Sequence, residues 1–316
     1  MHALILGGRG AVGRAARAAL QERGHEAVLA GRTIGETEGI PLDLTTPRGR
    51  ERLAGAAIDV DVVINASGIE DPQLVTLLPE TPLVDISATG AYLSELRSLS
   101  ASATVVLGAG IAPGVSTLLA AALTSADGDD IDVAVMLGTG EAHGPAAVAW
   151  TAGLVGTDVH DPADDYPVRN LVERRRFVAA GRRRLHLRAD FPDHVLLAGR
   201  GLRVRSYLAL SSPVATAALA IVGAIPAWRG VLTASPHWGD ARWEISATNR
   251  RTGEQRTASG IGQSLATGEF TALAAIRAVE DPRRGPVSMA DLSDVGLLHD
   301  ARTVLSTTTR RAIPIG

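Results

Sequence analysis

The chain has 316 residues, no cysteine and a formal net charge of −3 at pH 7. Its length favours two domains, and its charge argues against a nucleic-acid partner. Every one of the 31 basic residues counted as lysine or arginine is an arginine. The sequence therefore excludes disulfides, thiolate chemistry, Schiff-base lysines and Tyr-x-x-x-Lys catalytic pairs.

The first 32 residues predict a strand, a glycine-rich turn, a helix and a second strand. They contain the run LILGGRGAVGRAARAAL, in which an apolar segment ends at Gly7 and alanine and leucine then recur at helical spacing. Three glycines in this context are typical of a dinucleotide site, where a pyrophosphate meets the start of a helix. The candidate binding residues are Gly7, Gly10, Ala11, Val12 and Gly13. A glycine turn in an α/β fold without a cofactor is the alternative.

The end of the second predicted strand indicates which dinucleotide would bind. An NAD site usually has an acidic residue there, whereas this strand is followed by Arg32 and Thr33. A guanidinium would pair with the 2′-phosphate of NADP(H), and a carboxylate would repel it. We therefore expect NADP(H), the alternative being that Arg32 is a solvated surface residue.

Four further short apolar runs predict a parallel sheet, at residues 39–44, 60–67, 81–87 and 103–110. Ligands of such sheets bind outside the carboxyl ends of the strands. Small and polar residues at these ends are further candidates for cofactor binding, although a cap or a turn is the alternative role for any one of them. They are Asp43, Asn65, Ala66, Ser67, Ser87 and Gly110, with Asp85 beside the expected nicotinamide position.

Four motifs of the first 125 residues together resemble the saccharopine dehydrogenase-like family, in its NADP-binding branch. They are LILGGRGAVG, VINASG, LVDISATG and VLGAGIAPGVSTLLA. The resemblance implies a Rossmann domain into which a second α/β domain is inserted, with the chain returning to the first domain at its end. We expect the Rossmann domain to comprise residues 1–124 and 266–316 and the inserted domain residues 125–265. The resemblance also implies a homodimer that pairs through the sheet of the inserted domain.

The stretch GTGEAHGP, at residues 138–145, supplies candidate catalytic residues. His143 is suited to donating a proton near neutral pH, Glu141 to orienting it and Trp150 to forming a pocket wall. We expect this turn to overhang the nicotinamide crevice, with Asp85 as the substitute proton donor. A helix cap is the alternative role for His143. The other histidines lack metal-ligand spacing, so we expect no metal.

The remaining sequence predicts an α+β domain with a mixed or antiparallel sheet. Turns at Gly181 and Gly253 are each flanked by strand-like runs, which is typical of hairpins. Arg203 and Arg205 are two residues apart on one predicted strand, so their side chains would share a face. They are candidates for binding a substrate carboxylate. The apolar run 213–226 is too short to span a membrane and predicts a buried helix. The N-terminus lacks the features of a signal peptide, and we expect a cytoplasmic protein.

These features favour an NADPH-dependent oxidoreductase that acts on a small molecule, and the family resemblance implies reduction of an imine formed from an amine or an amino acid. Reduction of a carbonyl or enoyl group in a larger apolar metabolite is an alternative. A protein that senses NADPH without turnover is another, from a different functional class.

Overall fold

The structure is a computed structural model that describes residues 1–141, 145–234 and 239–310. The strands are β1 (His2–Leu6), β2 (Glu26–Gly31), β3 (Gly39–Pro41), β4 (Val62–Asn65), β5 (Leu83–Asp85), β6 (Thr104–Leu107), β7 (Asp130–Leu137), β8 (Arg174–Ala179), β9 (Arg182–Arg188), β10 (Arg203–Leu210), β11 (Arg242–Asn249), β12 (Gln255–Ile261), β13 (Gly285–Ser288) and β14 (Val304–Arg310). The helices are α1 (Ala11–Gln21), α2 (Pro47–Ala57), α3 (Gln73–Leu77), α4 (Gly90–Ser98), α5 (Val115–Ala121), α6 (Pro145–Gly153), α7 (Asp193–Leu196), α8 (Pro213–Ala224), α9 (Gln263–Glu280), α10 (Met289–Leu292) and α11 (Leu297–Asp300).

The chain forms two compact units, and the first comprises residues 1–87, 91–114 and 264–301. Its sheet has seven strands in the order β13-β6-β5-β4-β1-β2-β3, and all neighbours are parallel. The central strands β1 and β4 are nearly continuous apolar runs because both faces of the sheet are covered. The predicted parallel Rossmann-type sheet is confirmed.

The second unit comprises residues 88–90, 115–263 and the chain from residue 302 onward. Its sheet has the order β14-β12-β11-β7-β10-β9-β8. Strands β7 and β10 are parallel, and the other neighbouring pairs of this described sheet are antiparallel. A two-residue turn at Ala180 and Gly181, with φ of 49° and 72°, joins β8 to β9. The second predicted hairpin joins β11 to β12, so the mixed sheet is also confirmed.

The unit boundaries differ from the expected domain boundaries at the end of the chain. Residues 266–316 were expected to return together to the first domain, but β14 pairs antiparallel with β12 in the second sheet. Strand β14 has two apolar residues followed by Ser, Thr and Arg, and this local sequence does not indicate which sheet edge the strand joins. The second unit also begins ten residues earlier than expected, at Val115.

The apolar run 213–226 forms helix α8 but is not fully buried as expected. Leu219 and Val222 face the interior, whereas Val214 is 79% exposed and Ile221 49% exposed. The residues of α8 are apolar on every face of the helix, so the sequence shows no polar face from which its exposure could be predicted. Among the described residues, no helix has both the length and the apolar character needed to cross a bilayer.

His186 is a buried titratable side chain on β9. It is 0% exposed, its ring packs edge-on against Phe177 with ring centroids 5.2 Å apart, and its Nδ1 lies 3.2 Å from the carbonyl oxygen of Arg184. Burial lowers the pKa of His186 to about 4. The folded protein therefore keeps this imidazole neutral at pH values where an unfolded chain, with an ordinary histidine pKa near 6.5, binds a proton.

This difference predicts a loss of stability in acid. The contribution of His186 is complete above about pH 6.5 and is lost as the pH falls to about 4, at a cost of up to about 3 kcal/mol. In urea unfolding at pH 7.5 and 4.5, H186Q should lose less free energy of unfolding on acidification than the wild type. H299Q, at an exposed histidine of α11, should retain the wild-type pH dependence. Equal pH dependence in all three proteins would contradict the assignment.

Candidate functional site

The glycine turn after β1 brings backbone segments into direct contact. Gly7 has a φ of +75°, and a methyl group on it would lie 2.3 Å from the carbonyl oxygen of Ala66. A methyl group on Gly13 would lie 2.6 Å from the carbonyl oxygen of Gly7. Neither position has room for a side chain, so the turn holds the first turn of α1 close to the carboxyl ends of β1 and β4.

The start of α1 is open to a ligand. Gly10 is its N-cap and supplies no side-chain cap, and the first turn carries no acidic residue. Within the described chain, the backbone N–H groups of Ala11, Val12 and Gly13 have no hydrogen-bond acceptor. Together with the helix dipole, three free donors form the arrangement that binds a phosphate or pyrophosphate. The residues present therefore fit a dinucleotide.

The end of β2 presents the residues that the sequence assigned to the 2′-phosphate. Arg32 and Thr33 are both exposed, and Arg32 has no ion pair within the described ranges. Asp43 accepts hydrogen bonds from the hydroxyl and the backbone N–H of Thr45, at 2.7 and 3.0 Å, which hold its pKa below the usual value. The positive charge of Arg32 adds to this shift. Asp43 thus shapes the turn before α2.

The ends of β4 and β5 are joined by a buried polar network. Asn65 Nδ2 donates to Asp85 Oδ2 at 2.8 Å and to the carbonyl oxygen of Ile69 at 2.9 Å. The hydroxyl of Ser67 donates to Asn65 Oδ1 at 2.6 Å, and the backbone N–H of Ser87 donates to Asp85 Oδ1 at 2.7 Å. Four of the candidate residues therefore do come together, but they bind one another.

Asp85 does not have the geometry expected of a proton donor. It is 0% exposed, and burial raises the pKa of its carboxyl group. In addition to Asn65 and Ser87, the hydroxyl of Tyr92 donates to it at 3.0 Å. With no exposed atom from which to exchange a proton, Asp85 positions the ends of the strands, and the expectation that it donates a proton is not supported. Sequence reasoning missed Tyr92, which follows the strand by seven residues and matches no motif.

Two backbone candidates have different surroundings. Ala66 lies against Gly7, as described above, and its own backbone N–H donates to Leu6 at 3.0 Å. The backbone N–H of Gly110 donates to the carbonyl oxygen of Pro113 at 3.0 Å, and a methyl group there would lie 3.2 Å from Thr267. Gly110 therefore turns the chain after β6.

The remaining candidates for catalysis and substrate binding lie in the second unit, and His143 falls outside the described residues. Glu141 Oε2 accepts the backbone N–H of Gln263 at 2.7 Å, at the first residue of α9. Trp150 packs against Phe191 with ring centroids 4.9 Å apart and donates from Nε1 to the carbonyl oxygen of Ala88 at 3.2 Å. Both side chains thus have fixed positions within this unit.

The two arginines expected to bind a substrate carboxylate are already engaged by the protein's own carboxylates. Arg205 is 7% exposed and pairs with Asp130 and, at 2.6 Å, with Asp164. Arg203 lies 3.6 Å from Asp130 and donates to the carbonyl oxygen of Ala163 at 3.2 Å. The two guanidinium groups do share a face of β10, but Arg205 is neutralised and buried, so the structure does not support it as a substrate ligand.

No cluster of three or more His, Asp or Glu residues suited to a metal ion occurs in the described ranges.

Comparison with known proteins identifies the fold. No protein-family model matches the chain, and no curated protein matches it. Among solved structures it is similar to apo histidine-tagged saccharopine dehydrogenase (L-Glu forming) from Saccharomyces cerevisiae. The two share 14% identity with a TM-score of 0.60, over 98% of this chain and 99% of the yeast chain.

Two other matches also span nearly whole chains. A meso-dapdh mutant with DAP from Clostridium tetani E88 has 11% identity and a TM-score of 0.47, over 95% of this chain and 99% of its own. An engineered D-amino acid dehydrogenase has 14% identity and a TM-score of 0.45, with the same coverage. Since both scores are below 0.5, the comparison rests on the yeast structure. The resemblance that the sequence motifs indicated is confirmed at the level of the fold.

The close contact at Gly13 predicts opposite effects of the same substitution at two helical glycines. G13A places a methyl group against backbone atoms that cannot rotate away, and we expect it to cost about 1–3 kcal/mol of stability. Gly55 lies inside α2 with nothing within 4 Å of the added methyl group, so G55A should gain about 0.5–1 kcal/mol. Urea unfolding measures both, and G13A being as stable as the wild type would contradict the described packing.

Proposed function

We propose that this protein is an NADPH-dependent oxidoreductase that reduces an imine formed from an amine or an amino acid. The observation that carries the proposal is the open N-terminus of α1, set at the carboxyl edge of an all-parallel sheet by Gly7 and Gly13. A helix start without a side-chain cap, an acidic residue or a competing protein acceptor is well suited to an anionic ligand.

Different residues of the first unit would bind different parts of the cofactor. Ala11, Val12 and Gly13 would hold the pyrophosphate through their backbone N–H groups, while Arg32 and Thr33 would meet the 2′-phosphate. When bound, NADPH supplies a hydride for transfer to an electrophilic carbon. The Asn65–Asp85 network would keep the carboxyl ends of β4 and β5 in place beside it.

The fold supports the substrate class by analogy. The yeast protein of the same fold is a saccharopine dehydrogenase that forms L-Glu, and an imine is a reasonable electrophile for a related reaction in this chain. Carbonyl or enoyl reduction of a larger metabolite would use the same cofactor site. Fold analogy is weaker support than site chemistry, since one fold carries many reactions.

Proton transfer is assigned to His143, with Glu141 in support. A hydride added to carbon leaves a heteroatom that needs a proton, and an imidazole donates one near neutral pH. Asp85 is excluded by its burial and its hydrogen bonds. If His143 is not the proton donor either, the second candidate function, an NADPH sensor without turnover, is favoured.

We further propose a cytoplasmic homodimer that pairs through the second sheet. Strand β14 supports this pairing because it lies at the edge of that sheet and exposes residues on both of its faces, including Leu305. An exposed strand edge without proline or lysine is suited to adding a strand from another chain.

Cofactor choice provides the first test of the proposal. R32D removes a guanidinium and places a negative charge beside the 2′-phosphate, so it should weaken NADPH binding by about 10- to 100-fold and NADH binding by much less. R52D, at an exposed arginine of α2, should leave both affinities unchanged. Isothermal titration gives the six dissociation constants of the wild type, R32D and R52D for the two nucleotides, and equal losses for NADPH and NADH in R32D would reject the role of Arg32.

Turnover separates the enzyme from the sensor. H143A should lower kcat by about a hundredfold or more while leaving the dissociation constant for NADPH unchanged, because it removes a proton donor and no cofactor contact. H143Q keeps hydrogen bonding but delivers no proton, so it should be similarly impaired. NADPH oxidation with mixtures of amines and oxo acids is the assay. Full activity in both variants would remove His143 from the mechanism, and tight NADPH binding without oxidation across the panel would favour the sensor.

A further inference from the structure

Helix α8 and its C-cap residue in the second unit expose a continuous apolar strip. The helix sequence, PVATAALAIVGA, contains no charged residue. Val214, Ile221 and Ile225 are 79%, 49% and 41% exposed, and Ala217 and Ala218 are exposed between them. Residues at this spacing line one side of a helix. We call these five residues the α8 strip.

The chemistry of the α8 strip favours a lipid over a protein as the group that covers it. The opposite side of the helix, with Leu219 and Val222, is already buried within the unit. A continuous exposed apolar surface typically marks an interaction site. Interfaces between proteins carry about one hydrogen bond per 100–200 Å², and the Val, Ile and Ala side chains of the strip have no atom to form one. Lipid acyl chains require no such partner.

An aromatic and a basic residue follow the α8 strip along the chain. Trp228 is 53% exposed, and Arg229 beside it is exposed as well. Tryptophan is enriched at the boundary between lipid headgroups and acyl chains, and the stem of an arginine lies along apolar surface while its guanidinium stays in water. The strip therefore ends in two residue types that are typical of a membrane interface.

The β8–β9 hairpin brings further arginines to the other end of the strip. Arg184 donates to the carbonyl oxygen of Ser211, directly before the N-cap of α8, at 2.8 Å. Neither Arg229 nor the other exposed arginines of this hairpin form an ion pair within the described parts of the chain. These hairpin residues are Arg174, Arg176, Arg182 and Arg183.

Acidic residues are scarce around this part of the second unit. None occurs in residues 174–189 or 194–239. Three acidic side chains from other segments contact the hairpin, at Arg175, Arg188 and the backbone N–H of Ala180. The exposed arginines are thus left without a carboxylate partner in a chain whose formal net charge is −3. A local excess of positive charge beside an apolar strip suits an anionic lipid surface.

We propose that the second unit docks on the surface of an anionic membrane through the α8 strip and Trp228, with Arg229 and the exposed arginines of the hairpin at the lipid headgroups. A second copy of the chain is the competing occupant. A symmetric contact over the strip would bring the arginines of both copies together, which opposes pairing. Strand β14, at the opposite edge of the second sheet from β8, stays free for the proposed homodimer.

Co-sedimentation of the full chain with phosphatidylcholine vesicles that contain or lack phosphatidylglycerol tests the proposal. The wild type should bind the anionic vesicles, and high salt should weaken this binding. V214Q/I221Q should weaken it by about tenfold or more, because it removes apolar side chains that enter the lipid. R182Q/R183Q should weaken it by about tenfold on the anionic vesicles alone.

The chain offers a matched control for each variant. I58Q changes an isoleucine that is 83% exposed in the first unit, and R52Q changes an exposed arginine of α2. Both should bind vesicles as the wild type does. Tryptophan fluorescence is a second readout, and anionic vesicles should shift it to the blue in the wild type and not in W228F.

The outcomes are independent of the proposed enzymatic activity, since the assay uses neither cofactor nor substrate. No binding of the wild type to anionic vesicles, or no greater loss in V214Q/I221Q than in I58Q, would overturn the proposal. A lower mass of lipid-free V214Q/I221Q than of the wild type in light scattering would assign the strip to a second copy instead. Binding by R182Q/R183Q equal to that of R52Q would contradict the role of the hairpin arginines.

Discussion

The first unit depends on the close backbone packing that Gly7 and Gly13 permit. A single added carbon at either position would overlap with main-chain atoms, at 2.3 Å from Ala66 and at 2.6 Å from Gly7 respectively. This packing leaves α1 uncapped, with free donors at the edge where the parallel strands end. The same constraint gives the sheet its closely fitted turn and leaves a helix start with the free donors that suit an anion.

Buried charged side chains in this protein bind one another and support the fold, whereas the exposed ones remain accessible to a ligand. Asp85 is ionisable but fully enclosed and bonded by Asn65, Ser87 and Tyr92, so it fixes two strand ends. Arg205 is similarly enclosed between carboxylates. The accessible charges around the glycine turn are arginines and one carboxylate, Glu38, which pairs with Arg9. Positive charge is therefore in excess there, which is the pattern expected of a site for an anionic ligand.

Periodicity and glycine spacing predicted most of the first sheet, because each buried parallel strand is a short apolar run with its own local signal. They also predicted both hairpins of the second sheet from their turn residues. The partner of β14 was not predictable, since pairing between distant segments depends on which sheet edge is free. The inward-facing role of Asp85 and the neutralisation of Arg205 were missed for a related reason. Asn65 and Tyr92 lie 20 and 7 residues from Asp85, and Asp130 lies 75 residues from Arg205.

We propose that a nicotinamide dinucleotide lies on the open start of α1, and hydrogen–deuterium exchange measures this most directly. Exchange followed by mass spectrometry, with and without saturating NADPH, reports on the backbone N–H groups that the account assigns to the pyrophosphate. We predict slower exchange in peptides covering residues 7–14 and 32–38, with peptides of the hairpin at 174–188 unchanged. Unchanged exchange at residues 7–14 in the presence of bound NADPH would contradict the account.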